Sequence, residues 1–180
     1  GNGKDYPVQP GKSLLICDKA IDHREANSNS FDLSNADFEW YDDSDKNPDI
    51  DNPQVTNLDK IYSYTKTTWS LHNQGLCAYA IARLQVDKNT FLTDYTYKAT
   101  YINVIGESQD KNAYQVPNAW IIDAVNISNK AQYAWNVVDA SLDMGFTYCG
   151  EVALDKNRYN KSVRRKVLST TPDGRKILKD

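Results

Sequence analysis

Asp43, Asp45, Asn47, Asp49 and Asp51 alternate with other residues. By that spacing a short loop directs several oxygens at one calcium ion. They belong to a stretch, 37–51, that holds seven carboxylates and one lysine. Against an EF-type loop, Asp43, Asp45 and Asn47 take the first, third and fifth places. Asp49 offers its carbonyl and Asp51 takes the ninth. The match fails where a glycine should permit the sharp turn, at Pro48, and where a bidentate acid belongs, at Gln54. Two readings remain: a looser Ca2+ loop, or a solvated loop whose Asx side chains bond their own backbone.

Aromatic residues flank this run. Trp40 and Tyr41 abut it, and Tyr62, Tyr64 and Trp69 follow. Flat rings beside Asp and Asn suit a sugar-binding face, where rings stack on C–H surfaces and polar groups fix hydroxyls. The competing reading makes them sheet cover, half-buried in cross-strand pairs. Chemistry beyond binding is thin. His23 and His72 are the two histidines. None of the nucleophile-elbow, zinc-protease, dinucleotide or P-loop patterns occurs. Paired carboxylates for a hydrolase can be drawn from the many acids, but sequence cannot choose the pair. The expectation is a non-enzymatic module without a resident cofactor.

Composition points outward from the cytosol. The chain has 12 Tyr, 4 Trp and 17 Asn against 4 Phe and 1 Met, and Tyr and Trp suit β-surfaces that meet water or a ligand. Cys17, Cys77 and Cys149 each sit in an apolar stretch, where a thiol behaves as a small buried hydrophobe. Their odd number leaves at least one unpaired. Charge is uneven: residues 1–59 carry thirteen acids and five bases, and residues 150–180 carry nine bases and four acids. That basic end lacks any nucleic-acid motif and reads as a polar strand face complementing the acidic loop. No apolar run approaches the roughly 18 residues that span a bilayer.

The elements that must position these residues are mostly strands. After the turn signal Pro10-Gly11, Lys12 to Cys17 reads as a buried strand. Mild helical character follows over 18–26, and 36–41 reads as a short strand. Residues 42–58 form the irregular acidic loop. Lys60 to Leu71 is strand-like, and Gly75 to Val86 reads as a central strand covered on both faces. Asp87 is placed to cap a short helix to Asp94. Residues 95–106 alternate, with Tyr97, Ala99, Tyr101, Asn103 and Ile105 on one side. Residues 117–127 form another apolar strand, in which Trp120 is core. Ser128 to Gly145 has helical spacing, with Trp135 on its apolar side and Ser128 as cap. Strand returns over 145–153. The end is a hairpin through Thr171-Pro172-Asp173-Gly174. Without repeats or linkers, residues 1–180 read as a single β-rich domain.

Val8-Gln9-Pro10-Gly11-Lys12-Ser13-Leu14-Leu15-Ile16 resembles the opening of lamin-tail-like domains. Ser162-Val163-Arg164-Arg165-Lys166 and Asp173-Gly174-Arg175 resemble their close. The segments at Asp32–Phe38, Val116–Val125 and Ser141–Tyr148 are similar to an uncharacterised family of bacterial secreted or lipid-anchored envelope proteins that contains such a domain. The resemblance implies an immunoglobulin-like β-sandwich with short helical insertions and a long acidic loop. It implies a protein that is secreted, at the cell surface or in the periplasm, with a lipid-anchored precursor. It brings no catalytic residues. The strands that precede the Pro-Gly segment in lamin-tail-like domains are not in this sequence, so a fragment of a longer precursor is expected. A sheet edge would then pair with a missing segment or another subunit. The expected function is adhesion, assembly or ligand display, with a glycan or an envelope protein as partner. The alternatives are a carbohydrate-binding module and a hydrolase.

Overall fold

The computed structural model describes residues 5–61, 77–103, 105–130, 138–143, 145–148, 150–152, 155–158 and 164–179. The protein is mainly β, with several small sheets. It divides into two compact units, residues 7–71 and residues 1–6 with 72–180.

In the 7–71 unit three two-residue strands run parallel: β1 (Ile16–Cys17), β2 (Phe38–Glu39) and β3 (Thr56–Asn57), in that order. Ladders this short supply few backbone bonds, so loops and side chains do most of the joining. The apolar core is correspondingly small: Cys17, Ala20, Ala36 and Val55, with Leu33 against it. The strand expected from Lys12 contracts to Ile16–Cys17, because Leu14 and Leu15 remain exposed and have no sheet to cover. The mild helix over 18–26 is absent. That segment is turns closed by an Asp22–Asp32 bridge, and Arg24 reaches both carboxylates.

In the other unit, β4 (Cys77–Ala82) pairs antiparallel with β7 (Ile121–Ser128), which pairs parallel with β8 (Thr147–Tyr148). The expected central strand at 75–86 is thus at one side of its sheet among the described residues, with Ile81 66% exposed. The middle strand is β7. Between them lie the helix α1 (Lys88–Asp94) and the hairpin of β5 (Thr96–Ile102) with β6 (Ser108–Tyr114). Asp87 caps α1 by accepting from the Asn89 and Thr90 amides, as its position predicts. Phe91, the buried residue of α1, lies in an aromatic group with Tyr95, Tyr114 and Trp120, with ring centroids 4.8 to 6.5 Å apart. Trp120, expected in the core, is half-buried at the side of this group.

The β5–β6 turn uses Asn103, whose side chain accepts from the Ile105 and Glu107 amides, and Gly106 at φ +84°. The closing hairpin is β9 (Val167–Thr170) with β10 (Lys176–Leu178), and Gly174 at φ +87° takes the left-handed place after Asp173. Two expectations shift. Ser128 does not cap a helix: it ends β7, and its hydroxyl donates to the Asn129 carbonyl. Residues 138–143 are turns built on Asp139, which accepts from the Ser141 amide; residues 131–137, with Trp135, lie outside the described ones. Among the described residues of the strand expected over 145–153, β8 is strand. Among the described residues no helix is long and apolar enough to cross a membrane.

Candidate functional site

The acidic run is engaged within its own unit. Glu39, 1% exposed at the middle strand β2, accepts from the Ala20 amide at 2.9 Å and the Asn52 amide at 3.1 Å. Asn52 in turn donates to the Ala20 and Ser34 carbonyls. This pair ties three loops at the place where the ladder is too short to do so. Asp42, 2% exposed, accepts from the Ser44 amide and hydroxyl, and its carbonyl accepts from the Asp49 amide. The loop therefore closes on itself.

The five predicted calcium ligands are largely turned to other partners. Asp43 pairs with Lys60 at 3.1 Å, and the hydrogen bond from that ammonium holds its carboxyl below the ordinary value. Asp49 pairs with Lys19 at 2.5 Å, a bond that raises the lysine's pKa. The second oxygen of Asp49 is buried and has no hydrogen-bond partner among the described residues. Asp51 accepts from the Asn57 amide group. Asp45 and Asn47 are exposed. No group of three or more His, Cys, Asp or Glu is disposed to hold a metal ion among the described residues.

The predicted aromatic face is described only at Trp40 and Tyr41, since Tyr62, Tyr64 and Trp69 lie outside the described residues. Trp40 carries the Lys60 ammonium 5.8 Å from its ring centroid, and the same ammonium donates to the Tyr41 carbonyl. A lysine therefore already occupies a face of the indole. Cys17 and Cys77 are free thiols, as the reading of each as a small hydrophobe implies. Cys149 is outside the described residues.

Sequence reasoning did not single out the concavity on the β4–β7–β8 sheet. Its volume is about 640 Å³, within the size range of small-molecule sites. Alternation explains its floor. Register sets Tyr79 opposite Val125 and Ile81 opposite Asp123 on one face. The opposite face of β7 presents Ala124, Asn126 and Ser128, all buried. Along β7, Asp123, Val125 and Ile127 thus alternate with buried residues, and Ala80 and Ala124 also border the cavity. Thr147 of β8 and Phe146 just before it extend the wall.

Charge in the cavity is partly spent. Asp123 pairs with Arg165 at 2.7 Å and also accepts from the Ala124 amide. Asp143 accepts from the Asn126 amide at 2.7 Å, and the Asn126 side chain donates to the Gly145 carbonyl. Arg164 and Lys179 also line the cavity and make no ion pair among the described residues. The one available signal was the alternation of Tyr79 and Ile81 with alanines inside the 77–82 run.

Together these features define a mainly β protein with an open, apolar-floored concavity and a basic margin. Residues 9–180 match the family model described as protein of unknown function DUF4876, and the chain belongs to that family. No curated protein and no solved structure matches it.

Proposed function

We propose that this protein is a non-catalytic module of the bacterial envelope that holds a ligand or assembly partner in the β4–β7–β8 concavity. The observation that carries the reading is the concavity's floor of half-open apolar side chains, on the sheet face where a folded chain would ordinarily bury them. The Tyr-, Trp- and Asn-rich composition and the resemblance to secreted and lipid-anchored envelope proteins support the location: secreted, or at the cell surface or periplasm. The closing hairpin β9–β10 follows the segment that resembles a lamin-tail-like close, and so supports an immunoglobulin-like sandwich.

The test is binding of a neutral apolar fluorophore, N-phenyl-1-naphthylamine. Saturable brightening by the wild-type protein, lost in Ile81→Asp at unchanged circular dichroism, is the expected outcome. Brightening that is absent, or unaffected by that substitution, refutes the reading. One observation favours a second reading, a hydrolase: Asp123 and Asp143 line the same cavity. Both carboxylates already hold protein partners. Hydrolysis of a chromogenic glycoside that disappears in both Asp123→Asn and Asp143→Asn would replace the binding reading with this one.

A further inference from the structure

We infer that the concavity selects a small amphiphile with an apolar body and a single carboxylate head, in the manner of a fatty acid; this rests on the binding reading above. Three observations converge. The floor is made of Tyr79, Ile81, Val125 and Ile127, with Phe146 beside them, and register and alternation place the four strand residues on one face. An apolar chain laid there removes its own surface and theirs from water.

One of the cavity's two acids is charge-paired from within, and the other is hydrogen-bonded. Arg165 covers Asp123 at 2.7 Å, and the Asn126 amide meets Asp143 at 2.7 Å. Asp123 would have to give up Arg165 to meet a cationic ligand, and Asp143 is the one lining acid without a cationic partner among the described residues.

With that pair set aside, two cations face one carboxylate, and the balance in the cavity is positive. Arg164 and Lys179 line the same space without an ion pair among the described residues. They are reached from the segment before β9 and the residue after β10, which the hairpin brings together: the Lys179 amide donates to the Lys166 carbonyl at 2.7 Å. A carboxylate between a guanidinium and an ammonium makes charge-assisted bonds, and its chain runs over the apolar floor. A neutral ligand forgoes that head-group bond, and a cation meets like charge.

The experiment displaces bound N-phenyl-1-naphthylamine from the full chain with dodecanoate, dodecanol or dodecyltrimethylammonium, each below its micelle concentration. Dodecanoate should bind at least tenfold more tightly than either of the others. The Arg164→Gln/Lys179→Gln double variant should bring dodecanoate to the affinity of dodecanol, each measured against the variant's own fluorophore affinity. If the fluorophore binds but dodecanoate and dodecanol compete equally, the carboxylate preference is overturned and the binding reading survives. If the fluorophore itself does not bind, the binding reading falls first. A hexapeptide with an apolar C-terminal residue and free carboxylate that outcompetes dodecanoate would overturn the fatty-acid-like assignment in favour of a peptide.

Discussion

The two units put their polar and apolar side chains to opposite uses. In residues 7–71, with twelve acids and six bases, carboxylates serve as joints: the buried Glu39 and Asp42 and the exposed Asp37 each hold a backbone amide. In the other unit, with twelve acids and fifteen bases, regular strands hold the backbone, and apolar side chains and two cations are left facing a cavity. A conspicuous charge run thus has structural work to do when the ladder beside it is only two residues long. Its oxygens are needed to satisfy amides that no strand reaches. Where the ladder is complete, side chains are released for other work.

The sharpest break of this contrast is Glu39→Ala. It strands two amides, one of them buried, and should cost about 3 kcal/mol, read as a large fall in melting temperature. Asn52→Ala removes the donors to the Ala20 and Ser34 carbonyls and should cost about 2 kcal/mol in the same measurement. Acid acts next. The side-chain hydrogen bond from Arg24 lowers the Asp22 pKa from 3.8 to about 2, so its contribution to stability is complete above the ordinary value and is lost as pH falls toward 2. Melting temperature should therefore drop below pH 4. Because the pair is exposed, salt should blunt that drop.

Ile81→Asp lies at the other extreme. It should abolish fluorophore binding while moving stability by under about 0.5 kcal/mol, because the side chain is already open to water. The smallest expected effect is that of calcium. With Asp43, Asp49 and Asp51 each engaged by a protein group, melting curves in calcium and in chelator should coincide. A clear rise with the ion would show that the acidic run is a site after all.

Features closed within a few residues were legible in the sequence. Asp87 caps its helix through amides two and three positions on, and Pro-Asp-Gly sets its turn with φ values local to the residues involved. The mainly β composition was legible for a similar reason, since alternation in 95–106 is a local pattern. The β5–β6 pairing was missed because 107–112 is almost entirely polar and exposed, so no buried face marks it. Glu39 looked like one more acid of the run. Its burial depends on Ala20 and Asn52, which lie 19 and 13 positions away. The cavity depends on antiparallel register between β4 and β7 and on Arg165, 42 positions from its partner. No window of sequence contains those facts.

The Cys17 thiol is 6% exposed, and burial pushes its pKa up, so in the closed protein it is neither accessible nor ionised. Alkylation must wait for the 7–71 unit to open, because the thiolate is the reacting species. With Cys77→Ser and Cys149→Ser removing the other thiols, the speed of labelling becomes a clock for that opening alone. If it stays slow while the fluorophore leaves the concavity under mild urea, the two units come apart in sequence and not together. The chain then carries its own reporter of which half yields first.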